Sequence, residues 1–92
     1  MTQDQAETLA LQALGWLAGN DELLPVFMGA SGAAPEDLKT RADDPAFLSS
    51  VLEFLTMDDE WVIAFCDAHA LPYTAPMQAR EALPGGAQTH WT

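Results

Sequence analysis

A chain of 92 residues with a single cysteine and a formal net charge of -11, from 14 acidic residues against Lys39, Arg41 and Arg80, excludes several classes of protein. Nucleic acids and anionic membranes are held through Lys and Arg, so this surface repels both, and the electrostatically permitted protein partner has a basic or neutral face. One cysteine allows no disulfide within the chain, and no positive region or arginine-rich segment precedes Lys39, so a cytoplasmic setting is expected.

The length suits one domain, which buries about 60–65% of the surface its unfolded chain exposes and needs no covalent staples. The longest weakly polar run, residues 23–34, is interrupted by Pro25, Gly29, Ser31 and Gly32 and falls short of the roughly 20 residues of a membrane span.

In chain order, Thr2 and Gln5 have the spacing of a capping box, and Ala6, Leu9, Ala10, Ala13, Leu14 and Leu17 repeat on one face of a first helix. Gly19 and Asn20 end it, and Asn20 or Asp21 can accept the free amides of the next turn. Pro25 is compatible with a helix only near its start, which predicts a short second helix over 25–30, stopped by Ser31-Gly32. Pro35-Glu36-Asp37 opens a third, where Asp37 and Arg41, Lys39 and Asp43, and Glu36 and Lys39 have the spacing of ion pairs.

Asp43 or Asp44 is expected to cap a fourth helix with Pro45 at its first position. Phe47, Leu48, Val51, Leu52 and Leu55 form its apolar face, with Ser49, Ser50 and Glu53 turned outward. Asp58 is expected to cap a fifth, with Asp59 and Glu60 in its positive first turn. Val62, Phe65, Cys66 and His69 follow one stripe of it, broadened by Trp61 and Ile63, a breadth that signals burial on more than one side. Thr74 is placed to cap a last helix over 76–83, which Pro84-Gly85-Gly86 ends. Residues 87–92 lack periodicity and read as a disordered tail. The expectation is an all-α, compact single-domain bundle of five or six short helices spanning residues 1–86.

No group of reactive side chains has a recognised catalytic or metal-site spacing. Cys66 and His69, three apart, supply half a zinc site, but Asp67 diverges from them and His90 is distant, so a buried thiol beside a histidine is the simpler reading. Asp58-Asp59-Glu60 diverge by about 100 degrees per residue and serve better as cap and first turn than as calcium ligands. Gly29-Ala30-Ser31-Gly32 lacks both the second glycine, since Ala33 stands there, and the preceding strand of a nucleophile turn. Acidic neighbours raise rather than lower the pKa of Cys66, which argues against a thiolate nucleophile. Gly85-Gly86 is followed by six residues and reads as a helix stop, not a conjugation tail.

The segments Ala13-Leu14-Gly15-Trp16-Leu17-Ala18, Pro35-Glu36-Asp37-Leu38, Ala42-Asp43-Asp44-Pro45-Ala46-Phe47-Leu48, Val51-Leu52-Glu53-Phe54-Leu55, Phe65-Cys66 and Leu83-Pro84-Gly85-Gly86 follow one another in an order that resembles a domain-of-unknown-function family. Its members are short all-helical bacterial proteins, found chiefly in alphaproteobacteria. The resemblance covers nearly the whole chain and implies one compact domain in a bacterial cytoplasm. It carries over no activity, cofactor or catalytic residue.

Aromatic residues are the one surplus. Trp16, Phe54 and Trp61 each lie at an angle to the main stripe of their helix, where they either close the edges of the bundle or contribute to a contact patch for a partner. The functional reading is a non-catalytic protein interaction module without a cofactor, with an acidic rim favouring a basic or neutral partner face, or else a homodimer seam. The rival is a small-molecule- or metal-dependent activity in an interhelical pocket bearing His69 and Cys66.

Overall fold

The chain turns helical at once because Thr2 and Gln5 satisfy each other's backbone: the Gln5 amide donates to Thr2 Oγ1 at 3.1 Å and the Thr2 amide to Gln5 Oε1 at 3.0 Å. Helix α1, Gln3–Ala18, buries the expected stripe of Ala6, Leu9, Ala10, Ala13, Leu14 and Leu17. The structure, a computed structural model, describes residues 1–83. After α1 follow α2 (Leu23–Ser31), α3 (Asp37–Thr40), α4 (Pro45–Leu55), α5 (Asp59–His69) and α6 (Ala75–Ala82), and no strand occurs among the described residues. The Pro84-Gly85-Gly86 stop and the tail at 87–92 lie outside them.

Side-chain oxygens start four of the six described helices, α1, α2, α4 and α5. Asn20 Oδ1 accepts the amides of Glu22 and Leu23, each at 3.1 Å, and so starts α2 two residues before the expected position. Pro25 is then its third residue, where the missing N–H would have had no partner within the helix. Gly32 ends α2 in the left-handed conformation, φ 74°. Asp44 and Asp58 cap α4 and α5 by accepting the amides of Ala46 at 3.0 Å and Glu60 at 2.9 Å. Thr74, expected to cap the last helix, has the position but makes no such bond: its backbone is itself helical, φ -83° and ψ -13°, which takes the hydroxyl away from the orphan amides.

The three ion pairs expected around α3 do not form. That helix is four residues long and closes on Arg41, and Asp37 accepts the Ala34 amide at 2.9 Å instead. With the helical path ended, the Arg41 guanidinium lies 3.8 Å from Asp44 and 4.8 Å above the Phe47 ring centroid.

Helices α1 and α4 are the two central elements, each in close backbone approach to the other, to α2 and to α6. Such enclosure corrects one expected face: Ser49, predicted to point outward, is 7% exposed, because a helix with neighbours on several sides buries more than its apolar stripe. On α5 the correction runs the other way. Only Phe65 and Cys66 are buried, Val62 is half-buried, and Ile63 and His69 are exposed, so this helix covers one side of the bundle. Phe27 of α2 stands at the middle of the core, edge-on to Phe47 at 6.1 Å and to Phe54 at 5.3 Å, geometries that match the positive edge of one ring to the negative face of another. No helix among the described residues is long and apolar enough to cross a membrane.

Candidate functional site

Trp16, Phe54 and Trp61 enter two separate pairings that join α5 to the rest of the bundle. The Trp61 indole, in the first turn of α5, stacks on Phe54 of α4 with centroids 4.8 Å apart. Phe65, one turn further along α5, meets Trp16 of α1 edge-on at 5.9 Å. Both tryptophans are half-buried, so each closes an edge while keeping part of its ring at the surface. Phe54 is only 5% exposed and belongs to the core.

Phe54 does reach one surface feature. Between α2 and α4 lies a groove of about 170 Å³ lined by Phe27, Ala30, Ser31, Ser50, Glu53, Phe54 and Met57. Its floor is aromatic. Its edge carries Met57, 72% exposed on the turn after α4, and the exposed Glu53. The two hydroxyls are already committed as donors: Ser31 Oγ donates to the Phe27 carbonyl at 2.8 Å and Ser50 Oγ to the Phe47 carbonyl at 2.6 Å. The volume is below the several hundred Å³ usual for small-molecule sites and suits a single side chain. Sequence reading misses this groove because it forms where the ends of two separate helices meet; exposed Met57 beside buried Phe54 is the only local signal of it.

The pair proposed for a reactive pocket does not line a common one among the described residues. Cys66 is 1% exposed and its thiol donates to the Pro72 carbonyl at 3.4 Å. It adjoins a shallow hollow of about 250 Å³ with Asp67, Ala70, Leu71, Pro72 and Tyr73, whereas His69 lies outside that lining and packs on the Phe65 ring at 4.8 Å. Burial, and secondarily the charge of Asp67, pushes the Cys66 thiol above its ordinary pKa, so the nucleophilic thiolate is disfavoured. The Tyr73 hydroxyl donates to Asp67 Oδ1 at 2.7 Å, and this bond together with the Asp67 charge raises the phenol pKa too. In this arrangement Cys66 and Tyr73 both hold their protons more tightly than the free side chains do.

Elsewhere, the residues with a superficial likeness to sites have local duties. Ser31 ends α2 by accepting the Ala33 amide at 3.2 Å, and Asp58 caps α5. No group of three or more His, Cys, Asp or Glu side chains among the described residues converges as metal ligands would. A larger hollow, about 650 Å³, runs along Gly15, Trp16, Gly19, Asn20, Asp21 and Glu22, and carries no imidazole or thiol.

No curated protein and no solved structure matches the chain. Residues 3–86 match the family described as "Protein of unknown function (DUF3572)". That span takes in all six helices of the described residues, and the chain belongs to the DUF3572 family.

Proposed function

We propose that the protein is a non-catalytic interaction module that binds another protein through its α2–α4 face. The observation that carries this reading is the apolar groove floored by Phe27 and Phe54, with the large exposed side chain of Met57 at its mouth. Apolar hollows of one-side-chain size, surrounded by polar residues, are where interfaces place their anchors. The formal charge of -11 favours encounter with a basic or neutral face and disfavours nucleic acid and anionic membrane. Trp61, half-buried and stacked on the groove residue Phe54, is the second anchor in this reading. Against the rival catalytic reading stands the Cys66 thiol, its pKa raised and His69 outside its hollow.

The test is kinetic. A partner recovered with the tagged protein from its own cells should associate more slowly as salt rises, because exposed charges steer encounter over about 8 Å at physiological ionic strength. Trp61→Ala and Met57→Ser should act mainly through faster dissociation. Association that ignores salt, together with unchanged dissociation of both variants, would remove the acidic surface and the groove from the proposal.

A further inference from the structure

The groove specifies the chemistry of what it takes. Its walls are two helix C-terminal ends, with Ala30 and Ser31 in the last turn of α2, Glu53 and Phe54 in the last turn of α4, and Met57 just beyond. Carbonyls at a helix C-terminus carry roughly half a negative charge, commonly offset by Lys, Arg or His nearby. Neither α2 nor α4 has a basic residue in its last turn. Glu53 adds a full negative charge to the same rim, exposed and in no ion pair among the described residues. Because Ser31 and Ser50 both donate inward to backbone carbonyls, the side chains around the groove present acceptors to a ligand and no free donor, which disfavours an anion. The floor of Phe27 and Phe54 requires an apolar body instead.

An aliphatic stem with a cationic head meets both demands, since long basic side chains lay their methylenes on apolar surface and keep the charge at its edge. The geometry points to this groove as the receptor for one arginine side chain presented by a partner protein, its stem on Phe54 and Met57 and its guanidinium at Glu53 and the C-terminal end of α2. Arginine fits better than lysine because its planar head also stacks on aromatic rings and pairs bidentately with a carboxylate. The source of the arginine, a protein, rests on the interaction-module reading; the cation preference rests on the groove alone.

The experiment titrates the full chain with the capped pentapeptide acetyl-Ala-Ala-Arg-Ala-Ala-amide and with its citrulline twin, following backbone amide resonances. Shifts confined to residues 27–31 and 50–57 for the arginine peptide, and absent for citrulline, are expected. Glu53→Gln should weaken binding by about two- to fivefold, the range of an exposed ion pair. Glu53→Lys should abolish it, while Glu81→Lys, the same charge change at an exposed position of α6, should leave the groove response in place. Should Glu53→Lys fail to fold, Ala30→Lys at an exposed helical position supplies the same local cation and is expected to give the same loss. Shifts spread over the acidic surface, equal weakening by Glu81→Lys, or no response to the peptide would each overturn the inference. A recovered partner that binds while the peptide leaves the groove untouched overturns the arginine site and spares the module reading; a peptide seated in the groove of a chain that recovers no protein partner does the reverse.

Discussion

The ring of Trp61 lies on that of Phe54 with centroids 4.8 Å and planes 22° apart, so one stacked contact ties the start of α5 to the end of α4. Trp61→Ala should therefore lower stability by about 2 kcal/mol, less than the 3–5 kcal/mol of a fully buried tryptophan because the ring is half-exposed. Trp61→Phe should recover most of the loss. Denaturant unfolding followed by circular dichroism measures both, and an unmoved midpoint for Trp61→Ala would show that the stack does not hold α5.

Cys66 should react slowly with a thiol reagent in native buffer and quickly in denaturant, since only 1% of it is exposed and its hydrogen stays on sulfur. The pH dependence has a definite sign. A thiol whose folded pKa is raised above the ordinary 9.0 contributes stability that is complete below that value and is lost as pH climbs through the folded pKa, because the unfolded chain ionises first. Unfolding titrations of wild type and Cys66→Ala should run at a constant separation from neutral pH up to about pH 9, with only the wild type losing stability through this group at the alkaline end. Fast native labelling would contradict the burial directly.

Two left-handed residues form a reciprocal test. Gly32, φ 74°, has open space around an added Cβ, so Gly32→Ala should cost about 1 kcal/mol through backbone strain alone. Ala70 ends α5 at φ 55° and ψ 45°, a conformation that charges a side chain the same strain. Ala70→Gly should stabilise the protein by about 0.5–1 kcal/mol, after the greater freedom of glycine in the unfolded chain is subtracted. Thermal unfolding midpoints moving in opposite directions confirm the pair; a destabilising Ala70→Gly would refute it.

Removal of metal should leave the fold unaltered. Helical signal and thermal midpoint are expected to be identical with and without a strong chelator, and elemental analysis should find no stoichiometric zinc. Loss of helicity on chelation would reinstate Cys66 and His69 as ligands.

How much of this was legible in the sequence depends on the range of the forces involved. Caps act over two or three residues, so Thr2, Asp44, Asp58 and the stop at Gly32 could be read locally, as could the α1 stripe. Ser49 and His69 could not, because burial depends on which neighbours enclose a helix: α4 has them on several sides and α5 covers only one. The expected Asp37–Arg41 pair assumed one further helical turn, which ended at Thr40. The groove was beyond reach for the same reason, since Ala30 and Glu53 acquire a common meaning only when two helix ends meet.

The attachment of α5 has a dynamic consequence. Helices α1, α4 and α6 approach one another closely along their backbones, whereas α5 is joined through the rings of Trp16, Phe54, Trp61 and Phe65. Parting those ring contacts and uncovering Phe65 and Cys66 frees a whole helix while the backbones of α1, α4 and α6 stay together, which sets α5 up to open as a cooperative unit before the rest. Amide hydrogens over 59–69 should then exchange as a group, below the free energy of global unfolding. Because Trp16 and Trp61 lose their ring partners in that same event, tryptophan emission would register the excursion while the far-ultraviolet signal of α1 and α4 persists.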